Sequence, residues 1–331
     1  MFITIRRRTV VLISTGIVLA ILGVCLALWM PRFRRFAHGA RSGVTVQGVQ
    51  VGGLFGSEVR DVVLATAARV ERQPVEAMYH SETGDIIPEE PGISVDVDRT
   101  VQIVMEAKRG EEVSLLTRLV QPSVTAQMLK AVYGVQTNEP AVALAFNVAW
   151  GEECLPGILD SLASAGAKST FFLTGTWVRK FPELTQRIAA EGHELANHGY
   201  EHPHPELLSD SELAALITKN EDLIRELTGV RTVLFAPPYG EVNQKIVAAA
   251  ARLGYTTVMW TVDTIDWQRP EPTLILERSQ RRLAGGNIIL VHPTEPTARA
   301  LPAVLATLSD KGYRAVTVSE LLPMGKPMDS R

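Results

Sequence analysis

The chain has 331 residues, 46% of them hydrophobic and 21% charged, the makeup of a folded protein rather than a disordered or fibrous one. Seven of its 33 basic residues are arginines within the first 41 positions, where no acidic residue occurs. The remainder is therefore acidic and offers no footprint for nucleic acid, and two cysteines cannot make a disulfide framework.

From Thr9 to Pro31 no charged residue occurs, and the centre reads VVLISTGIVLAILGVCLALWM. A bilayer core takes about 20 apolar residues as a helix, whereas the apolar part of a signal peptide runs to about 7–15. The expectation is an uncleaved membrane helix over about 9–30, within an anchor segment 1–41. A cleaved signal is the competing reading. A lipoprotein site at Leu22-Gly23-Val24-Cys25 would need a residue smaller than Val24 before the cysteine. Arg6, Arg7 and Arg8 precede the helix and Arg32, Arg34, Arg35 and Arg41 follow it, so the positive-inside rule does not set the orientation. These arginines suit the anionic headgroups of a lipid bilayer.

Residues 42–138 read as a small α+β module. Val44 to Val51 alternates and stops at Gly52-Gly53, which predicts one strand and a turn. Helical spacing predicts a helix over Glu58 to Val70 and another over Val101 to Ala107. Pro91 to Val97 and Glu112 to Leu119 are strand-like. The segments Gly48-Val-Gln-Val-Gly-Gly-Leu54, Gly92-Ile-Ser-Val-Asp96 and Pro122-Ser-Val-Thr125 resemble a peptidoglycan-binding module of Gram-positive wall proteins. A packing or spacer domain is the plainer reading, since fold alone does not imply function.

Residues 139–331 alternate strand and helix. Strands are predicted at Val142 to Val148, Thr170 to Leu173, Val233 to Ala236, Thr256 to Trp260 and Asn287 to Val291. Helices are predicted at Leu155 to Ala165, from Pro182 to near Gly192, from the capping box Ser209/Glu212 to Thr228, and over Lys245 to Leu253, Leu274 to Leu283 and Ala300 to Lys311. Repeated βα units imply a parallel sheet covered by helices. About 190 residues is short of the roughly 250 of an eight-fold barrel, so the expectation is a distorted (β/α) barrel. The fold class is thus α/β, with an N-terminal α+β module and one transmembrane helix.

Asn147, His198, Ala236, Asp263 and His292 fall at or just past strand ends, where sites assemble in parallel barrels. His198-Gly-Tyr-Glu-His202 places two imidazoles four residues apart in a polar loop, able to share one metal. Asp263 or Asp266 could orient His292 as a proton donor. Tyr239, Trp260, Trp267 and Asp266 would form a groove whose aromatic rings suit a sugar. Cys154 could ligate zinc but better suits a core position, and Glu152 or Glu153, just after Trp150-Gly151, could supply a carboxylate.

The order Thr170-Phe-Phe-Leu173, Gly192-His-Glu-Leu-Ala-Asn-His198-Gly-Tyr-Glu-His202-Pro203, Phe235-Ala-Pro-Pro-Tyr-Gly240, Trp260-Thr-Val-Asp263-Thr-Ile-Asp266-Trp267 and Ile289-Leu-Val-His292 resembles the NodB-homology polysaccharide deacetylases. Within that family it is most similar to the sporulation-associated members of endospore-forming Gram-positive bacteria. The resemblance implies a divalent metal, zinc by preference, held by an aspartate and two histidines, here His198 and His202. It further implies a catalytic aspartate as base, a histidine as acid, and release of acetate from an N-acetylated glycan such as peptidoglycan.

The chain departs from that pattern at the first motif, Thr-Phe-Asp-Asp, which reads Ala145-Phe146-Asn147-Val148. Asn147 occupies the base position and is no base. Val148 occupies the metal carboxylate position. Ala236 replaces the arginine that would pair with the base, and Pro293 follows His292 where the family has Asp. The expectation is a membrane-anchored, single-pass protein, bulk outside the membrane, that removes N-acetyl groups from wall or spore-cortex glycan through a modified site with a weakly held metal. The alternative is a non-catalytic glycan-binding or scaffold protein of the envelope.

Overall fold

The computed structural model describes residues 7–80 and 82–330, with side chains from Thr15 onward. Arg6 and the side chains of Arg7 and Arg8 lie outside the described residues. Arg7–His38 is one helix that runs through Pro31. Its stretch Thr15–His38 is unburied and long and apolar enough to cross a membrane, a signature that a signal sequence shares.

Two compact units follow. The first takes the chain up to Val75 together with Glu90–Pro122. Here the helix end is tied down: Arg35 makes a two-pronged pair with Glu58 (2.7 and 2.9 Å) and donates to the Gly53 carbonyl (3.2 Å). Helices Gly56–Ala67 and Val97–Glu106 bury Val59, Val63 and Val104 against Val44, Val46, Val51 and Val113. The run Val44 to Val51, expected as one strand, is a hairpin: Thr45–Val46 pairs antiparallel with Val49–Gln50. Its turn sits at Gln47 and Gly48, with φ of 47° and 77°. Two successive positive φ values match the twist of the flanking strands. The stretch Glu112 to Leu119 likewise divides, into Glu112–Val113 and Thr117–Val120, which join different partners.

The second unit comprises Glu76–Glu89 and Ser123–Arg331. The hairpin Met78–Tyr79/Ile86–Ile87 belongs to it. There the Ala77 amide donates to the Val124 carbonyl (3.0 Å), and Ala77, Val124 and Leu129 pack with Ala251. Its sheet has eight strands, all pairs parallel. Across it run Thr256–Thr257, Leu234–Phe235, Glu194–Asn197, Thr170–Leu173, Ala141–Val148, Ile288–Val291 and Val262–Asp263, with Arg314–Val316 pairing the start of Ala141–Val148. This is the curled, incomplete form of the (β/α) barrel.

The central strand explains the layering. Its odd positions Ala141, Ala143 and Ala145 join the inner core with Phe172, Trp260 and Leu290. Its even positions Val142, Leu144, Phe146 and Val148 pack outward against helices Leu155–Ser164 and Glu295–Asp310. Small residues line the crowded interior and large ones fill the shell, where Phe146 stacks on Phe171 at 4.8 Å. Burying such a ring stabilises by about 1.5–3 kcal/mol.

Candidate active site

The two-residue period of the central strand carries Asn147 inward and Val148 outward at the end where the strand opens. A pocket of about 520 Å³ opens there. Asn147, Ala149, Trp150, His198, His202, Tyr239, Gly240, Trp260, Asp263, Trp267, Leu290 and His292 line it. Eight of the nine site residues named from sequence thus meet in one place: Asn147, His198, His202, Asp263 and His292, with Tyr239, Trp260 and Trp267 on the aromatic side.

Asp266 is the exception. It does not line the groove but is fully buried. Its Oδ1 meets His292 Nδ1 at 2.8 Å, while Oδ2 accepts the His292 backbone N–H (2.6 Å) and the Thr297 hydroxyl (2.6 Å). A carboxylate accepting at Nδ1 fixes the proton there and leaves Nε2 for chemistry. The turn Asp266–Gln268 is flanked by Ile265 and Arg269 at φ 52° and 53°, a left-handed backbone unfavourable to both. Asp263 helps to hold it: its Oδ1 accepts the Ile265 N–H at 2.8 Å. Asp266, rather than Asp263, is therefore the partner of His292, and Asp263 supports the turn that aims it.

His198 is buried, and its Nδ1 donates to the Ala236 carbonyl at 2.7 Å, which leaves Nε2 as a lone pair. Burial, reinforced by His202, holds its pKa down to about 3, so it is neutral. Burial also lowers the pKa of His202. The two rings lie 5.0 Å apart, edge to face. Behind the loop, Asn197 Oδ1 accepts the Gly199 N–H (2.8 Å) and an Asn220 N–H (3.0 Å), which fixes the backbone between the histidines. Tyr239 has φ of 59° and is sandwiched: His202 meets it edge-on at 4.4 Å and His204 stacks on it at 4.1 Å. His204 Nδ1 in turn lies 2.5 Å from Glu241 Oε1.

The residues do not fit the metal that the resemblance implies. Two imidazoles are in place, but the third position is Val148, fully buried in the outer shell. Among the described residues no group of three His, Cys, Asp or Glu side chains could hold an ion. Glu152 and Glu153 do not line the pocket; Glu152 lies 3.9 Å from Lys180 instead. Cys154 packs against the outer core, where burial raises its thiol pKa.

Sequence reasoning passed over Trp150, used only as a landmark. Its ring lies parallel to His292 at 6.0 Å, with the Arg269 guanidinium 5.9 Å from its centre. Its place directly after a strand end was the available signal.

A family model described as polysaccharide deacetylase matches residues 134–258. YlxY of Bacillus subtilis (strain 168) is 38% identical over 238 residues, covering 71% of this chain and 75% of that protein. A peptidoglycan-N-acetylglucosamine deacetylase of Bacillus cereus is 34% identical over 194 residues, covering 57% of this chain and 70% of that one. Among solved structures, BA3943 of Bacillus anthracis, described as a CE4 family pseudoenzyme, superposes with a TM-score of 0.58 at 32% identity, covering 81% of this chain and 95% of that one. A mutant of it is described as having restored enzymatic activity.

Proposed function

Because the chain belongs to the polysaccharide deacetylase family, we propose that it is a membrane-anchored envelope protein that holds N-acetylated wall glycan in this pocket rather than hydrolysing it at the rate of active relatives. One observation carries the reading. The three positions where the family motif puts the base, the metal carboxylate and the base's arginine are Asn147, Val148 and Ala236, all uncharged, around a pocket that stays open. Enzymes of this family depend on a metal ion, and among the described residues the donor set for one is incomplete. Losing a general base alone costs about 10²–10⁴ in rate.

The sugar-facing side of the pocket supports binding. Trp150, Tyr239 and Trp267 are each more than a third exposed at its mouth, and Trp260 and Leu290 form an apolar wall inside. Flat apolar rings with polar edges are what a pyranose face meets well. The peptidoglycan deacetylase of Bacillus cereus supplies the substrate class by similarity. The N-terminal helix supports a single pass, and a wall-glycan ligand requires the pocket to lie on the wall side of the membrane.

A second reading, slow deacetylation, is favoured by one retained feature: the His292–Asp266 pair, with every hydrogen bond made, can still protonate a leaving amine at Nε2. Both readings are tested on the detergent-solubilised full chain with an N-acetylglucosamine tetramer. Saturable quenching of tryptophan fluorescence is expected, with acetate release at least about 10²-fold below that of an active relative. Acetate release at the active relative's rate would overturn the binding reading.

A further inference from the structure

We infer that Arg179 and Lys219, gathered on the ring of Tyr200, form a second binding site outside the pocket, an oxyanion site that takes the carboxylate of an acidic sugar in the bound glycan. The inference rests on the glycan-binding reading above and adds the site that selects acidic over neutral glycan.

Tyr200 stands between His198 and His202, in the loop whose two histidines line the pocket. Its backbone is held from two sides. The Tyr200 N–H donates to the Leu216 carbonyl (2.8 Å), and its carbonyl accepts the Thr176 N–H (2.8 Å). The ring packs on the backbone of Gly175, where a Cβ would collide with it. Two cations converge on this fixed ring. Lys219 Nζ, from helix Asp210–Thr228, lies 3.6 Å from its centre, and the Arg179 guanidinium, from helix Gly175–Lys180, lies 5.5 Å from it. Both side chains are exposed, and among the described residues neither forms an ion pair or a side-chain hydrogen bond. The charges around them are engaged or apart: Lys180 lies against Glu152 (3.9 Å), Asp222 pairs with Arg225 (3.0 Å), and the exposed Glu201 pairs with neither cation. The Tyr200 hydroxyl likewise has no hydrogen-bond partner among the described residues. Lysine and arginine only donate, so donors gather here with no acceptor. The ring face attracts each cation but neutralises neither, and two like charges on one ring repel until an anion joins them. The pocket itself is lined by the Asp263 carboxylate and by no Lys or Arg. Its own electrostatics therefore disfavour an acidic sugar, and a preference for one has to come from outside it.

Calorimetry on the detergent-solubilised full chain compares N-acetylglucosamine tetramer with a tetrasaccharide of alternating N-acetylglucosamine and N-acetylmuramic acid, whose lactyl groups carry free carboxylates. In low salt the wild type is expected to bind the acidic tetrasaccharide at least about five-fold more tightly, the scale of two exposed charge contacts. Salt at about 1 M, where screening acts within about 3 Å, should shrink that ratio. The double variant Arg179→Gln/Lys219→Gln changes only exposed side chains and should bring the low-salt ratio below about two-fold. Equal wild-type affinities, or a preference that survives in the double variant, would overturn the oxyanion site and leave glycan binding standing. Binding of the acidic tetrasaccharide alone, lost in the double variant, would uphold the site and remove the pocket's role in holding neutral sugar. Tighter binding of polyglycerol phosphate than of the acidic tetrasaccharide, lost in the same variant, would overturn the assignment of the anion to the glycan. Absence of binding to both sugars would overturn the glycan-binding reading and this site with it.

Discussion

Two corners of one pocket have been treated in opposite ways. At the His292 corner a buried carboxylate, Asp266, keeps three hydrogen-bond donors in place. At the Asn147 corner every position that the family fills with charge is neutral, from Asn147 and Val148 to Ala236. The contrast teaches that charge leaves a buried site as a set. An arginine kept at 236 without an anion at 147, or the reverse, would be an unpaired buried charge, which costs several kcal/mol. Asp266 stays because its partners stay.

The sharpest way to break this comparison is to attack the retained corner. Asp266→Ala strands the His292 amide, its Nδ1–H and the Thr297 hydroxyl in a fully buried position. The expected loss is about 4 kcal/mol, in the range for breaking a buried charged network. Denaturant titration of the full chain measures it. A loss under about 1 kcal/mol would mean that the corner is no more than surface chemistry.

The neutral corner yields the second test. Asn147→Asp alone, or Ala236→Arg alone, is expected to cost about 3 kcal/mol, and the double variant less than either, with coupling of at least about 1 kcal/mol. The triple variant with Val148→Asp restores each family residue type and is expected to raise acetate release from the N-acetylglucosamine tetramer at least about ten-fold. Additive costs at 147 and 236 would show that the two positions changed independently.

Much of this was legible in advance, and the limits are physical. The central strand was readable because Ala141–Val148 is an unbroken apolar run, and its period then dictates which of Asn147 and Val148 faces the site. The helix Asp210–Thr228 announced both ends, with a Ser209/Glu212 capping box and Gly229 at φ 73°. The strands Glu194–Asn197, Val262–Asp263 and Arg314–Val316 were not predicted, since they are too short for periodicity and lack the apolar run that marks the equally short Thr170–Leu173. The choice between Asp263 and Asp266 could not be made from spacing. It depends on a turn held by left-handed Ile265 and Arg269, residue types that give no signal for that backbone.

A smaller effect separates the buried site from its supporting floor. His193 is buried beneath Phe171 and the Ser169 N–H, with Lys168 and Glu191 as its charged neighbours. Burial, aided by Lys168, lowers its pKa to about 4 from 6.5. Between those values the unfolded chain binds the proton and the folded chain does not, so stability falls as pH drops through that window. The contribution lost by pH 5 is about 2 kcal/mol. His193→Leu should flatten this part of the pH dependence, read as the difference in denaturant midpoint between pH 7 and pH 5. An unchanged slope would place the acid sensitivity elsewhere.

The smallest effect expected is that of zinc on the wild type. His198 and His202 are neutral and offer lone pairs, but a third protein donor is missing where Val148 packs outward. Structural zinc sites use four protein ligands and catalytic ones three, so two imidazoles should bind in the range of about 100 μM or weaker. Ligand linkage then gives about 0.4 kcal/mol of stabilisation when the free metal equals the dissociation constant. Thermal melts of the wild type and His198→Ala, with and without 100 μM zinc as a roughly matched concentration, should differ by no more than a degree or two. A large zinc-dependent shift in the wild type that His198→Ala abolishes would mean that a third donor enters the site, and the neutral corner would then be metal-bearing after all. A shift that persists in His198→Ala would place the ion elsewhere on the chain and leave the incomplete donor set as the reason the pocket binds metal poorly.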